Sequence, residues 1–258
     1  MLKKNLVILL SILSVFLFSM RNIENPANFR ENYTSLGFTY STYFSDIWVT
    51  KFGLFYSEKE DNLIGKLYLF TENASPENLN RIGYILKSVG DEFQWGINFL
   101  VKKYTNSTNE GYSFCLGVGF MSKIINYVKL GAFVEELTLF AQSPFEFFKP
   151  DVGVDLIIGN ETYSLVANFQ FIKQEYFQFN VGPVLNFKTL ELGAFWNPGY
   201  TINKSFFNKI SGYFALRIEK LMVLLDAFYA IDRDTVSDLP MHYENTLYGY
   251  NLLFEVGF

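Results

Sequence analysis

Apolar and polar residues alternate along many segments of the chain with the period of two that is typical of β-strands. In residues 93–101, the odd positions from Phe93 to Val101 are apolar, whereas Gln94, Gly96 and Asn98 lie on the other face. A strand in a membrane barrel alternates lipid-facing and lumen-facing residues over about ten positions. The pattern therefore predicts membrane-spanning strands, and it recurs at 112–120, 152–158, 163–171, 177–187 and 190–196.

The same pattern predicts about fourteen strands, with twelve as the alternative because the third, fourth and seventh are weakly patterned. Residues 134–137 change phase as a β-bulge would. We expect an all-β protein, an antiparallel up-and-down transmembrane β-barrel over residues 33–258. The predicted strands are 33–44, 47–56, 63–71, 81–88, 92–102, 111–121, 127–140, 151–158, 162–172, 176–187, 190–196, 211–218, 221–230 and 246–258.

The connections between these segments sort by length. Those after even-numbered strands are short, such as 159–161, whereas those after odd-numbered strands include 71–80, 103–111, 141–150, 197–210 and 231–245. Bacterial barrels have short periplasmic turns and longer outer loops, so both chain ends are expected on the periplasmic side.

Prolines fit this arrangement with one exception. Pro76, Pro144, Pro150, Pro198 and Pro240 fall in the predicted outer loops, where no ladder donor is needed. Pro183 lies inside a predicted strand and has no N–H to donate, so we expect a kink, a bulge or a lateral gap there.

The amino-terminal region has the organisation of a secretory signal peptide. Lys3 and Lys4 precede an apolar run from Leu6 to Phe18, and polar residues begin at Arg21. The run is shorter than the roughly 20 residues that a transmembrane helix needs. We expect residues 1–20 to be a cleaved signal peptide and residues 21–32 to form a short periplasmic or lumenal segment. An uncleaved anchor is the alternative, because no A-x-A cleavage site precedes the polar residues.

The last residues of the chain alternate up to a final aromatic side chain. This resembles the terminal signal that the outer-membrane barrel assembly machinery recognises. The resemblance implies the bacterial outer membrane as the location, with its lipid and the assembly machinery as partners. The apolar positions of this signal are Tyr248, Tyr250, Leu252, Phe254, Val256 and Phe258.

Composition narrows the classes of function. Removal of residues 1–20 leaves 19 basic against 26 acidic residues, a formal charge of -7 in place of -5. Nothing basic and clustered remains to hold a phosphate backbone, so we expect no nucleic-acid partner. The one cysteine, Cys115, excludes an internal disulfide framework.

The polar face of the predicted strands is rich in Gly, Ser, Asn and Gln. Such a lining suits water and small polar solutes, and it equally suits a side-chain network that fills the barrel. The candidate lumen-lining residues are Lys51, Gln94, Asn98, Ser113, Asp155, Asn168, Gln170, Gln178, Asn180, Asn186, Glu191, Arg217 and Glu219.

The sequence gives little support for catalysis or for metal binding. The single histidine, His242, lies in the last predicted outer loop near several aspartates and without a recognised motif, so a hydrolase is the third hypothesis. One cysteine and one histidine cannot build the usual zinc sites, and residues 232–238 lack the spacing of a calcium loop. We expect no catalytic residue, metal or cofactor.

Asn25, Pro26 and Ala27 stand shortly before the first predicted strand. They resemble the asparagine-proline-alanine segment of barrels similar to the FadL long-chain fatty-acid transporters and their PorV-like relatives, which have fourteen strands. The resemblance implies that the amino-terminal segment lies in or against the lumen. It implies passage of hydrophobic molecules through a lateral opening, or an assembly platform if the likeness is to the PorV-like barrels.

Two leading hypotheses follow. The first is an outer-membrane channel or passive transporter for small or hydrophobic solutes. The second is a non-conducting structural barrel that serves for attachment or assembly.

Overall fold

The fold comes from a computed structural model that describes residues 34–44, 48–74, 76–90, 92–143, 150–172, 176–201, 206–233 and 248–258. The predicted signal peptide, the segment 21–32 with Asn25, Pro26 and Ala27, and His242 lie outside the described residues. In the described ranges, no helix is both long and apolar enough to cross a membrane.

The described chain forms fourteen β-strands in one closed antiparallel barrel, as the alternation predicts, and the twelve-strand alternative is wrong. The three weakly patterned segments are strands like the others. The strands are β1 (Ser35–Phe44), β2 (Trp48–Glu60), β3 (Leu63–Ala74), β4 (Glu77–Ser88), β5 (Phe93–Thr105), β6 (Glu110–Ile125), β7 (Val128–Ala141), β8 (Asp151–Gly159), β9 (Tyr163–Ile172), β10 (Tyr176–Asn186), β11 (Leu190–Thr201), β12 (Phe206–Ile218), β13 (Leu221–Arg233) and β14 (Tyr248–Gly257).

The first and last strands close the ring. β1 and β14 pair without a break from Ser35↔Gly257 to Phe44↔Tyr248. Outside the barrel, the rings of Phe38 and Phe254 stack across this seam with their centroids 5.5 Å apart. Closure matters because an open sheet edge would leave unpaired backbone groups, each of which costs several kcal/mol in hydrocarbon.

Large apolar side chains cover the outer surface. On β1, Leu36, Phe38 and Tyr40 are exposed, whereas Ser35 and Thr39, on the alternate positions, are buried. The residues of the predicted assembly signal lie on the same outer face: five of them are exposed and Phe254 is partly covered by Phe38. An apolar surface this extensive is unfavourable in water and suits contact with lipid.

A β-bulge interrupts β7, as the phase change at 134–137 predicts. Leu116 pairs with Leu137 and Val118 pairs with Val134, so Gly117 of β6 faces two residues, Glu135 and Glu136. Glu136 has a φ of 53°, a backbone conformation that is uncommon for a residue with a side chain. The bulge turns two consecutive acidic side chains toward the barrel interior.

The seam between β10 and β11 is weaker than its neighbours. Its pairs stop at Gln178↔Gly199, resume only at Val181↔Trp196 and stop again until Val184↔Gly193, whereas β9 and β10 pair continuously through Pro183. Pro183 and Pro198 both lie in the unpaired stretches, and neither can donate to a ladder. The predicted defect at Pro183 is therefore confirmed as a broken ladder.

Pro198 also corrects a prediction. It was expected in an outer loop, but it lies within β11 opposite Asn208 of β12. The expected loop at 71–80 is likewise mostly strand, since β3 and β4 pair as far as Ala74↔Glu77. Alternation does not mark these strand ends, because residues that extend past the lipid remain paired without needing an apolar face.

We predict that amide hydrogens of residues 179–182 and 194–197 exchange with solvent faster than those of the unbroken β1–β2 seam, because the missing ladder bonds lower the free-energy cost of local opening. Hydrogen-exchange mass spectrometry on the folded protein in detergent micelles measures both seams at once. Equal protection of the two seams would contradict this assignment.

Candidate functional site

The barrel interior is the candidate functional site, because it collects the polar residues of every strand. The predicted lumen candidates, except Glu219, lie on the inward-facing positions of their strands, with Asp155, Asn168, Gln170 and Glu191 among the most buried. Glu219 corrects the prediction. It lies in the turn after β12, exposed and with a φ of 52°, because the alternation that holds at Arg217 stops where the strand ends.

The interior carries more charge than the sequence pattern indicated. Lys66 and Glu72 of β3 share their inward face with Tyr68 and Phe70, so the apolar and polar classes mix on one side of the strand and the alternation is blurred. The buried charged residues that were missed are Lys66, Lys87, Lys102, Lys209, Glu72, Glu135, Asp226 and Glu255.

A first hydrogen-bonded group spans β8, β9 and β10. Asn168 donates from Nδ2 to Oδ1 of Asp155 at 2.6 Å, and Asn180 donates to Oδ1 of Asn168 at 3.4 Å. Gln178 donates in turn to Oδ1 of Asn180 at 3.1 Å. Four predicted lumen residues therefore form one chain of amide and carboxylate contacts across three strands.

A second group surrounds Glu191 on β11. Its carboxylate is 1% exposed; it accepts a bond of 2.6 Å from the Tyr213 hydroxyl and one of 3.2 Å from Nη2 of Arg217. A buried charge is tolerated only when it is paired and hydrogen-bonded, and both conditions are met here. This group stabilises the wall formed by β11 and β12.

A third group includes the bulge. The Tyr68 hydroxyl donates to Oδ1 of Asn98 at 3.0 Å, and Nδ2 of Asn98 donates to Oε2 of Glu135 at 3.2 Å. Next along β7, Glu136 forms an ion pair with Lys102 of β5. Gly117 permits this arrangement, because a methyl group at that position would overlap the Glu135 carboxyl.

Apolar side chains form a band around most of the interior, which we call the apolar band. One part lies on β2 to β6 and another on β10, β12 and β13, and Leu253 of β14 packs against both. Lys66, between Ile64 and Tyr68 on the inward face of β3, lies over the ring of Phe55 with Nζ 4.0 Å from its centroid, a cation–π contact within the band. The buried members are Phe55, Ile64, Tyr68, Ile85, Leu100, Cys115, Val184, Tyr213, Ala215 and Leu224.

Solved structures share this architecture. The toluene transporter TodX of Pseudomonas putida superposes with a TM-score of 0.65 at 9% identity, with 93% of this chain and 94% of TodX covered. A Pseudomonas aeruginosa FadL homologue gives a TM-score of 0.52 at 10% identity, covering 90% of this chain and 91% of the homologue. The described chain has the fold of the FadL-like outer-membrane barrels.

Similarity to FadL-like barrels is confined to the fold at these identities. CdiB from Acinetobacter baumannii also superposes, with a TM-score of 0.52 at 7% identity, and the match covers 88% of this chain but 60% of CdiB. No protein-family model matches the chain, and no curated protein matches its sequence. The predicted PorV-like likeness stays a prediction.

We predict that Arg217→Met destabilises the folded barrel by about 2 to 3 kcal/mol, because it removes a charged hydrogen bond from a buried carboxylate. Urea unfolding in detergent, followed by circular dichroism, measures the change. Lys103→Met is the matched control. It removes the surface pair Lys103–Glu110, whose side chains are 40% and 48% exposed, and we expect a loss of no more than about 1 kcal/mol. Equal losses in both variants would refute the role of the buried pair.

Proposed function

We propose that the protein is an outer-membrane channel or passive transporter that moves small apolar or amphipathic solutes down their gradients without a cofactor. The observation that carries the proposal is the apolar band inside the barrel. Water-filled porins have polar interiors, in which apolar solutes gain nothing. Phe55, Tyr68 and Leu100 on one wall and Leu224 on the other instead offer an apolar solute favourable contact.

The broken ladder supports an apolar cargo. Val184 belongs to the apolar band and follows Pro183 directly, so the β10–β11 seam adjoins the band. A seam with missing backbone bonds opens at lower cost than a complete one. A solute that prefers hydrocarbon could leave sideways into the bilayer there, and FadL-like barrels are expected to release hydrophobic molecules laterally.

The structural relatives agree with this class of function. TodX is described as a toluene transporter and a monoaromatic hydrocarbon channel. The proposal for this chain extends to outer-membrane location, to lipid as its surroundings and to the barrel assembly machinery as its partner in biogenesis. The alternating residues from Tyr248 to Phe258 are the proposed recognition signal.

A non-conducting barrel for attachment or assembly is the second candidate. The observation that favours it is the extent of internal bonding, since Asp155, Glu191 and Glu135 each engage neighbouring side chains across the wall. Such networks are as compatible with a filled, closed interior as with the lining of an open channel. A hydrolase is the third candidate and rests on His242 alone, so any hydrolysis that survives His242→Ala would remove its basis.

We predict that the purified protein increases toluene uptake into liposomes above the rate of protein-free liposomes, with little ion conductance in planar bilayers. A variant that lacks residues 21–32 separates the two leading candidates. Conductance or uptake that appears only in the truncated variant would mean that the intact barrel is closed, and this result would favour the platform.

We also predict that Leu100→Gln slows toluene uptake several-fold, because it places a polar amide in the apolar band. Leu100→Met keeps the apolar volume and should retain the wild-type rate. A Gln variant that folds and transports toluene at the wild-type rate would contradict a role for the band.

A further inference from the structure

One carboxylate oxygen of Glu135 makes no hydrogen bond to the described residues. The residue is 7% exposed, and its Oε2 accepts the bond from Asn98. Its Oε1 is fully buried and has no hydrogen-bond partner among the described residues. A buried acceptor without a donor is unfavourable, so this geometry favours a donor that arrives from outside the chain.

The surroundings of Glu135 favour a positive donor. Glu136 and Asp151 are both close enough to act electrostatically on the Glu135 carboxyl. Lys102 is engaged in its ion pair with Glu136 and so offsets that neighbour. Because these neighbouring carboxylates add to the negative potential at Glu135, a cationic donor is attracted there more strongly than a neutral one.

The arrangement is held in place by the backbone. The bulge opposite Gly117 puts Glu135 and Glu136 on the same side of β7, which a regular strand cannot do. The φ of 53° at Glu136 is a strained conformation, and such strain tends to occur at ligand-binding positions. The backbone position of Glu135 is thus set before any ligand arrives.

The chemistry of the site indicates which cation it takes. Divalent ions such as calcium need six or more oxygen ligands, whereas one open oxygen matches one N–H of an ammonium group. Asn98 links Glu135 to Tyr68, which belongs to the apolar band together with Leu100. An ammonium group at Glu135 therefore places an attached apolar group beside the band.

We propose that Glu135 binds the protonated amine of an amphipathic solute whose apolar part lies against the apolar band. The inference rests on the proposed transport function in requiring that solutes reach the interior. It adds amines with an aromatic or aliphatic body to the apolar solutes proposed above as cargo, and it makes Glu135 a specificity-determining residue for these amines.

Isothermal titration of the full folded protein in detergent micelles tests the proposal, with benzylamine as the cationic probe and benzyl alcohol as the neutral probe of similar shape. Titration into empty micelles corrects for partition into detergent. We expect benzylamine to bind at least about tenfold more tightly than benzyl alcohol, and Glu135→Gln to weaken benzylamine binding by at least about tenfold. Glu135→Gln should leave benzyl alcohol binding unchanged.

Two further variants make the test specific. Glu255→Gln makes the same chemical change at another buried carboxylate, on β14 at the opposite side of the ring, and should keep wild-type affinity. Gly117→Ala should weaken benzylamine binding while the barrel still folds, because its methyl displaces only the mobile end of the Glu135 side chain. A gel comparison of boiled and unboiled samples establishes that each variant is folded.

Equal affinity for the two probes, or unchanged benzylamine affinity in a folded Glu135→Gln or Gly117→Ala variant, would overturn the amine site. If toluene uptake persists in that case, the transport function stands and only the cargo assignment fails. Failure of both probes to bind together with absence of uptake would overturn the inference and the proposed function alike.

Discussion

Backbone hydrogen bonding in a medium without water is the constraint on which this structure depends. Hydrocarbon offers no partner for a free N–H or C=O group, so a sheet can cross it only if its first and last strands meet. The ten uninterrupted pairs of β1 with β14 meet that requirement. The outward apolar side chains then become favourable, because a closed ring presents them to lipid.

The same constraint makes interruptions of the backbone hydrogen-bond ladder significant. The β10–β11 seam lacks pairs around Pro183 and Pro198, and the β6–β7 seam contains an extra residue at Glu136. Each defect disrupts the hydrogen-bond ladder locally and costs stability. One adjoins the apolar band and the other directs two acidic residues inward, so both bear on the proposed passage of solutes.

The interior also has to accommodate buried charged side chains. Glu191 is held by Tyr213 and Arg217, Asp155 is held by Asn168, and Glu136 is paired with Lys102. Each contact joins residues on different strands, so the pairs also connect the wall in the circumferential direction. Within the described residues, the Oε1 atom of Glu135 has no such contact.

Alternation in the sequence was sufficient to predict the fold, because lipid imposes a period of two on every strand. A single phase change was sufficient to locate the bulge at Glu135 and Glu136. Alternation did not predict the strand ends and turns, where contact with lipid no longer constrains the side chains. Residues such as Asn73 and Glu77 pair beyond the apolar zone, and Glu219 follows the last paired residues of β12 into a turn.

The interior was predicted less well than the outer surface. Lumen positions accept apolar, polar and charged residues alike, so Lys66 beside Tyr68 carries no periodic signal. Contacts between distant strands, such as Tyr68 with Asn98 and Asn98 with Glu135, depend on the register of the closed ring. No local pattern encodes that register.

The central claim is that these strands close into a ring whose apolar side faces lipid. Electrophoresis of membrane fractions in SDS, with and without boiling, tests it most directly, because a closed barrel resists SDS until it is heated. The account predicts that the unboiled protein migrates apart from the boiled one. Identical migration of both samples, with the protein soluble in the absence of detergent, would contradict it.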